Sequence, residues 1–309
     1  GGGARAAPVA ARRGVHEAGG GGAADGRVGR RVQDPDESRA VGGEQDGGGE
    51  RAAAEQRRVV REVVPVLGRL REEQHARRVG ECEGEVLGGQ RIPWSSNYTC
   101  LVRIDAGEGK FVRAVYKPRD GEMPLSDFPN GSLYKREYAA FLLSRALGWP
   151  HVPLTLVRDG PYGIGSMQIY VETDPRITYF NLIGDNIDQL WRFMAFDLLS
   201  NNADRKGGHC LLGGDGKIWS IDHGLTFHSE FKLRTVMLEF WGEPIPTEIV
   251  FELKEFADRL SSDQELAKCL AAHLTADEMD RLAQRLDGIL ENPTVPQLDP
   301  RRNIPWPLE

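Results

Sequence analysis

The sequence predicts an α+β fold in two lobes, a β-rich N-lobe followed by a helical C-lobe. Two observations predict it. Between residues 98 and 172 apolar residues mostly alternate, the period of half-buried strands, with one helical interruption. From 187 to 290 they recur mainly at helical spacing, broken by one polar passage and a pair of short strand-like runs.

Residues 98–105 form the first clear strand, with Tyr98, Cys100, Val102 and Ile104 on one face. Ala106-Gly107-Glu108-Gly109 is a turn, and 111–117 is the returning strand, closed by Pro118. A helix follows over 133–147, its apolar stripe made by Tyr134, Tyr138, Phe141 and Leu142 and its end marked by Gly148. Runs 152–158 and 165–172 are a second hairpin turning at Asp159-Gly160. Ile187, Leu190, Trp191, Met194 and Leu198 place a buried helix over 187–200. Short strands at 209–212 and 218–222 flank a Gly-Gly-Asp-Gly turn. The passage 247–290 is helical, and Thr275-x-x-Glu278 is a capping box opening its last helix. The Pro-rich end, 293–309, reads as a tail.

The first 90 residues hold 20 of the 37 glycines and contain no Phe, Tyr, Trp, Ile, Met or Lys. Such a segment cannot bury enough apolar surface to offset its ordering entropy, so 1–80 is expected to be disordered or a mistranslated extension, with at most a short helix within 51–78. The expected organisation is then an N-lobe over 84–172, a C-lobe over 173–292 and the tail. The 309 residues carry 39 basic and 46 acidic side chains, a net charge of −7, which argues against nucleic acid or an anionic membrane held by charge alone. No apolar run approaches the roughly 18 residues of a membrane span. Cys82, Cys100, Cys210 and Cys269 form no CxxC pair and fit neither zinc nor a disulfide framework, which implies reduced thiols and a cytoplasmic location.

The strongest chemical signal is Asn201-Asn202-Ala203-Asp204-Arg205-Lys206-Gly207-Gly208-His209. The same composition describes a plain surface loop. Two features favour a site: the loop joins an apolar helix to an apolar strand pair, and a second carboxylate, Asp222, ends the next hairpin. Paired carboxylates near Asn or His suit Mg²⁺ bound to a nucleotide, because Mg²⁺ takes oxygen ligands and shares them with phosphates. A glycosidase-type acid pair is the competing reading, but no sugar-stacking aromatic lies beside these carboxylates. Lys117 ends a strand and Glu137 lies on the following helix; together they match an ion pair that sets a lysine on phosphates. Ser95-Ser96-Asn97-Tyr98-Thr99 is rich in hydroxyls that suit phosphate, although it is neither a Walker A nor a GxGxxG motif. The segment 231–246 is either a substrate-binding stretch or ordinary packing, and His151 and His228 read as surface or packing residues.

Ala203-Asp204-Arg205-Lys206-Gly207-Gly208-His209 followed by Ile221-Asp222-His223-Gly224 resembles the catalytic and metal-binding loops of phosphatidylinositol 3-/4-kinase-like enzymes. With Val115-Tyr116-Lys117-Pro118 and Asp127-Phe128-Pro129-Asn130-Gly131, the chain is similar to an actinobacterial family of kinase-like proteins, and more distantly to HipA-type kinases. The resemblance spans about 84–290. It implies a two-lobed protein-kinase-like fold and an ATP-dependent phosphotransferase using Mg²⁺ or Mn²⁺. Lys117 would meet the ATP phosphates and pair with Glu137. Asp204 would orient or deprotonate the acceptor, and Asp222 would hold the metal. The stretch 167–172, with Gln168 and Tyr170, would be the hinge that binds adenine through its backbone, and 95–99 would be the phosphate loop.

The sequence departs from that pattern at three places. Lys206 stands where the pattern has His, His209 where it has a metal-binding Asn, and His223 where it has Phe. The second metal ligand is then His209, or Asn202 or Asn201, and Lys206 joins Asp204 as a catalytic candidate. These departures keep two alternatives alive, a nucleotide-binding pseudokinase and a nucleotidyl transferase. The acceptor is expected to be a protein or small molecule rather than a lipid, because no basic patch is concentrated in the sequence.

Overall fold

A computed structural model describes residues 82–309 apart from Trp94 and Ser96. The expectations for 1–80 and 51–78 lie outside the described residues.

Five antiparallel strands form one sheet: β1 (Val86–Arg91), β2 (Cys100–Gly107), β3 (Lys110–Pro118), β4 (Thr155–Gly160) and β5 (Gly163–Ile169). Their spatial order is β1-β2-β3-β5-β4. Cys100, Val102 and Ile104 alternate inward on β2, as their period requires, and join Ala114, Tyr116 and Met167 in a small core on one face. Helix α1 (Leu133–Leu147) packs against β4 and β5. It stops at Gly148, whose φ of 87° is the left-handed conformation glycine adopts without a steric cost. The second hairpin turns at Pro161-Tyr162 rather than at Asp159-Gly160, because Asp159 and Gly160 stay in register with Ile164 and Gly163. Strand β1 was not anticipated. It is an edge strand with Gly88-Gly89 at its centre and five of six residues exposed, so it shows no apolar alternation.

The C-lobe is built on α3 (Ile187–Ser200), which follows a short helix, α2 (Tyr179–Leu182). Phe193, Met194, Ala195, Phe196 and Leu199 on α3 are almost wholly buried. Each of the two phenyl rings contributes about 2–3 kcal/mol of apolar burial. The hairpin of β6 (Cys210–Leu212) and β7 (Ile218–Ser220) follows, and then α4 (Thr247–Ser262), α5 (Gln264–Ala271) and α6 (Ala276–Glu291). The Thr275–Glu278 capping box opens α6 as predicted, and Glu278 also pairs with the buried Arg136 of α1. Arg136 donates as well to the Thr226 carbonyl at 2.7 Å, so α1 is bolted to the C-lobe. The predicted arrangement of a β-rich lobe followed by a helical lobe is present. All four cysteines are buried, and Cys100, Cys210 and Cys269 are free thiols. Among the described residues no helix is long and apolar enough to cross a membrane.

The Pro-rich end corrects the expectation of a tail. Val295 and Leu298 are buried, Thr294 bridges to Pro244, and a short helix, α7 (Pro300–Asn303), follows. Asn303 accepts the Thr235 N–H at 2.8 Å and donates its side-chain amide to the Leu233 carbonyl at 2.6 Å. The Leu308 carbonyl accepts the Gly207 N–H at 2.8 Å. Prolines lack a donor, but their carbonyls and neighbours still bond, so a Pro-rich segment can dock without forming regular structure.

Candidate active site

Lys117 lies near the end of β3, paired in register with Ser166 of β5. Its Nζ is 2.5 Å from Glu137 Oε1 and 2.8 Å from Asp222 Oδ1. Glu137 is only 3% exposed, so the charge predicted on a helix face is a buried one, and it is paired. Burial opposes the charge on Lys117, but the Asp222 and Glu137 carboxylates outweigh it and hold the ammonium above the usual lysine range. Desolvation likewise opposes the charge on Asp222, yet Lys117 and then His209 keep its carboxyl well below the usual carboxylate range. Asp222 has φ 61°, a left-handed conformation that costs a residue with a Cβ about 1–2 kcal/mol. The neighbouring backbone enforces it: Ile221 donates to the His209 carbonyl at 3.1 Å and His223 donates to Glu137 Oε2 at 3.0 Å.

The polar loop after α3 takes its shape from the helix end. Asn201 caps it at φ 54°, with its side-chain NH₂ on the carbonyls of His228 and Glu230 and its oxygen receiving Lys232 N–H. Asn202 donates to Asp197 Oδ1 at 2.9 Å and accepts the Asp204 N–H at 3.0 Å. Both of its polar ends are therefore spent inside the protein, and it is 0% exposed. Asn202 and Asn201 are scaffold, which corrects their candidacy as metal ligands. Arg205 is also fully buried; it binds both oxygens of Asp197, the carbonyls of His209 and Ile221, the Ser220 hydroxyl and His223 Nε2. This guanidinium joins α3, the polar loop and the Asp222 loop in one brace. Since Arg205 can only donate, His223 Nε2 accepts and the ring is neutral. Burial, followed by the adjacent Arg205, pushes its pKa well below the ordinary histidine value.

That brace presents Asp204 and Lys206 to a cleft they share with Lys117, Glu137 and Asp222. Lys206 Nζ is 3.1 Å from Asp204 Oδ2. Burial raises the Asp204 pKa and Lys206 works against that rise. His209 accepts the Lys206 N–H at Nδ1, which leaves Nε2–H facing Asp222 Oδ2 at 3.4 Å. Burial lowers its pKa to about 4, so it is neutral at pH 7. Among the described residues no three His, Cys, Asp or Glu side chains gather as a metal-binding group.

Ser95, Asn97, Tyr98 and Thr99 line the same cleft, across from the acidic groups. Ser95 and Thr99 share a hydroxyl hydrogen bond of 2.8 Å, and Asn97 Oδ1 holds the Met123 N–H at 2.8 Å. Ser96 is outside the described residues. Gln168 sits in β5 opposite Val115, and the Tyr170 N–H is already bound to the Arg113 carbonyl at 2.9 Å. A base could therefore not take a hydrogen bond from that N–H without displacing β3. His228 packs against Phe128 and binds the Asp127 carbonyl, and His151 is half-buried beside Trp219.

Sequence reasoning missed Asp197, Ser220 and the docked C-terminal segment, and gave Arg205 no role. Asp197 had a signal, an acidic residue on the apolar face of a buried helix. Glu122 was also missed: its carboxylate accepts the Leu133 and Tyr134 N–H groups, so it caps α1 from a loop that lines the cleft. The 231–246 segment packs through Leu233, Val236, Met237, Phe240 and Ile245, which are buried, while Phe231 and Leu238 stay exposed. Arg234 is exposed, and its backbone pairs with Asn202 and Arg205.

No protein-family model matches the chain. Protein Rv2133c of Mycobacterium tuberculosis (strain ATCC 25618 / H37Rv) is 38% identical over 273 residues, which cover 77% of this chain and 96% of that protein. The chain belongs to the Rv2133c family. Among solved structures, this Rv2133c-family chain is similar to the Helicobacter pylori proinflammatory kinase CtkA, with 12% identity and a TM-score of 0.44 over 68% of this chain and 93% of that one. A golgi casein kinase gives 15% and 0.45 over 71% and 74%, and hydra Fam20 with sugar gives 13% and 0.43 over 67% and 84%. Likeness at this level bears on neither substrate nor chemistry.

Proposed function

We propose that this protein is a kinase of the protein-kinase-like class, transferring phosphate from ATP with a divalent metal. The observation that carries the reading is the Lys117 ammonium, held between a helix carboxylate at 2.5 Å and the cleft carboxylate Asp222 at 2.8 Å. A half-buried, doubly paired lysine kept charged in a cleft is the arrangement that neutralises transferring phosphates. In this reading ATP enters between β3 and the Asp222 loop, and its phosphates replace Asp222 as the main partner of Lys117. Glu137 keeps the ammonium aimed throughout, since its other oxygen is fixed by the His223 N–H.

The residues present suit Mg²⁺ or Mn²⁺: Asp222 is half-exposed in the cleft, Asp204 faces the same space, and such ions take one or two carboxylates plus phosphate oxygens. Asp222 would be the principal protein ligand, and the ion would supply charge neutralisation on the phosphates. His209, neutral and facing Asp222 with an N–H, orients that carboxylate instead of ligating. Asp204 would take the proton of the acceptor hydroxyl as its oxygen bonds to the γ-phosphorus and the bond from that phosphorus to the β–γ bridging oxygen breaks, ADP leaving with the electron pair. The burial that raises its pKa makes it the stronger base of the two carboxylates. Lys206 steadies Asp204 and adds positive charge on the acceptor side.

The phosphatidylinositol 3-/4-kinase-like label remains part of this proposal, with a protein or small molecule as acceptor and the cytoplasm as location. A nucleotide-binding role without transfer is the second reading. It is favoured by one observation, the commitment of Asn202 to Asp197, which removes a candidate metal ligand. ATP consumption by purified protein with Mg²⁺ or Mn²⁺ tests the two. Transfer should collapse in Asp204→Ala and Asp222→Asn. Turnover that is unchanged in folded Asp222→Asn rejects the kinase assignment, and ATP binding without product in the wild type selects the second reading.

A further inference from the structure

Two residues along β3 from Lys117, one row of side chains crosses the sheet. Val115 pairs with Gln168 of β5, and Gln168 pairs with Thr155 of β4. Alternate residues of a strand share a face, so this row lies on the Lys117 side of the sheet, roughly 7 Å along the strand.

The orientation of the Gln168 amide is decided by hydrogen bonding. The Thr155 hydroxyl has one proton, and it donates that proton to the Pro153 carbonyl at 2.9 Å. Thr155 Oγ1 can then only accept, so the group 2.9 Å away on Gln168 must be the NH₂. The amide is thereby locked with its carbonyl oxygen, Oε1, at the other end. No described residue donates to that oxygen, and it is not among the buried polar atoms sealed from solvent. Gln168 itself is half-buried. The result is a fixed acceptor, without a partner among the described residues, on the face of the sheet that carries Lys117.

We propose that Gln168 is the base-selecting residue of this site and that it favours purines with an amino group at position 6. The inference rests on the nucleotide-binding reading and deepens it. An adenine amino group donates to Oε1. A 6-oxo base such as hypoxanthine or guanine places a second acceptor there, leaving two lone pairs opposed and a polar group unpaired. This assigns recognition to a side chain in the sheet, where the backbone at Tyr170 is already engaged.

Binding of ATP and of inosine triphosphate to the full chain tests this, because the two differ only in the 6-substituent and in the proton the 6-oxo base carries on N1. ATP should bind about tenfold more tightly, the worth of one hydrogen bond together with its mismatch penalty. Gln168→Leu should weaken ATP by about that factor and leave inosine triphosphate nearly unchanged, bringing the ratio to about one. Thr155→Val removes the lock, lets the amide turn over, and should raise inosine triphosphate affinity; it decides the matter if Gln168→Leu fails to melt cooperatively. Equal binding of the two nucleotides by the wild type overturns the assignment of Gln168 alone. A wild-type ratio retained in a folded variant does the same. Failure of both nucleotides to bind overturns the nucleotide-binding reading and this assignment with it.

Discussion

Glu137 Oε2 accepts the backbone N–H of His223 at 3.0 Å while its other oxygen holds Lys117 at 2.5 Å. One buried carboxylate thus couples the lysine of the β-rich lobe to the backbone of the residue after Asp222. The spacing between those two groups is set by a single side chain and not by the breadth of the cleft.

Glu137→Gln keeps the shape of that coupling and removes its charge. Turnover should fall by at least about tenfold, while the urea midpoint changes by no more than about 1–2 kcal/mol in stability. Glu137→Ala should cost more stability than Gln, because the Lys117 ammonium and the His223 N–H lose a partner together. Steady-state kinetics alongside chemical denaturation of both variants checks this.

The Asp197–Arg205 pair is 0% exposed on both sides. Asp197→Ala should destabilise the protein by about 3–5 kcal/mol, since a buried guanidinium is left with only neutral partners. A loss below about 1 kcal/mol would mean that the loop does not depend on the brace. Equilibrium urea unfolding gives the number.

Acid should unfold the protein earlier than its carboxylates alone require. Burial lowers His209 and His273 to about 4 and holds His223 well below its ordinary value. Between the unfolded histidine pKa of about 6.5 and about 4, the unfolded chain binds protons that the native state refuses, so stability falls as pH drops through that window. His209 and His273 are each worth on the order of 3 kcal/mol once the window is crossed. Lys117 and Asp222 act outside it. The raised lysine contributes below its unfolded pKa and is lost at strongly alkaline pH, and the depressed aspartate contributes above about 4 and is lost in strong acid. His273 stacks edge-on against Tyr138 at 4.8 Å with its Nδ1 unpartnered. His273→Phe should therefore flatten the stability profile between pH 6.5 and 4, as followed by urea midpoints across pH.

Removing residues 299–309 should separate binding from turnover. The segment fixes Gly207 through the Leu308 carbonyl and Thr235 through the Asn303 carbonyl, and it reaches none of the groups around Lys117. ATP affinity should stay within about twofold while turnover drops about tenfold or more, because the polar loop loses its outer support. Asn303→Ala, which removes the side-chain bonds to the Leu233 carbonyl and from the Asp299 N–H, should cost about 1–2 kcal/mol of stability. Calorimetry of ATP binding and product assays on the same preparations check both.

Much of this site was legible in the sequence because its residues sit at the ends of elements with strong periods. Lys117 closes a strand, Asp204 follows a helix with a clean apolar stripe, and Asp222 follows a hairpin, so each could be placed without any tertiary contact. Glu137 was legible only as a partner for Lys117; nothing in its own neighbourhood distinguishes it from solvated helix charge. Asn202 was misread because an asparagine beside an aspartate has the same composition whether it points outward to a metal or inward to Asp197. Strand β1 escaped because an edge strand centred on two glycines has no buried face to reveal its period.

By itself the sequence determined the order of the lobes, the helix over 187–200 and the capping box at Thr275, and it singled out Lys117, Asp204 and Asp222 among the charged residues of the cleft. Hydrophobic period and cap chemistry are local, and they survive without knowledge of the fold. Only the tertiary structure decided that Arg205 ties three elements together, that the Pro-rich end is docked, and which end of the Gln168 amide is free. Those outcomes depend on which donors and acceptors meet across large sequence separations, and burial forces each of them to find a partner.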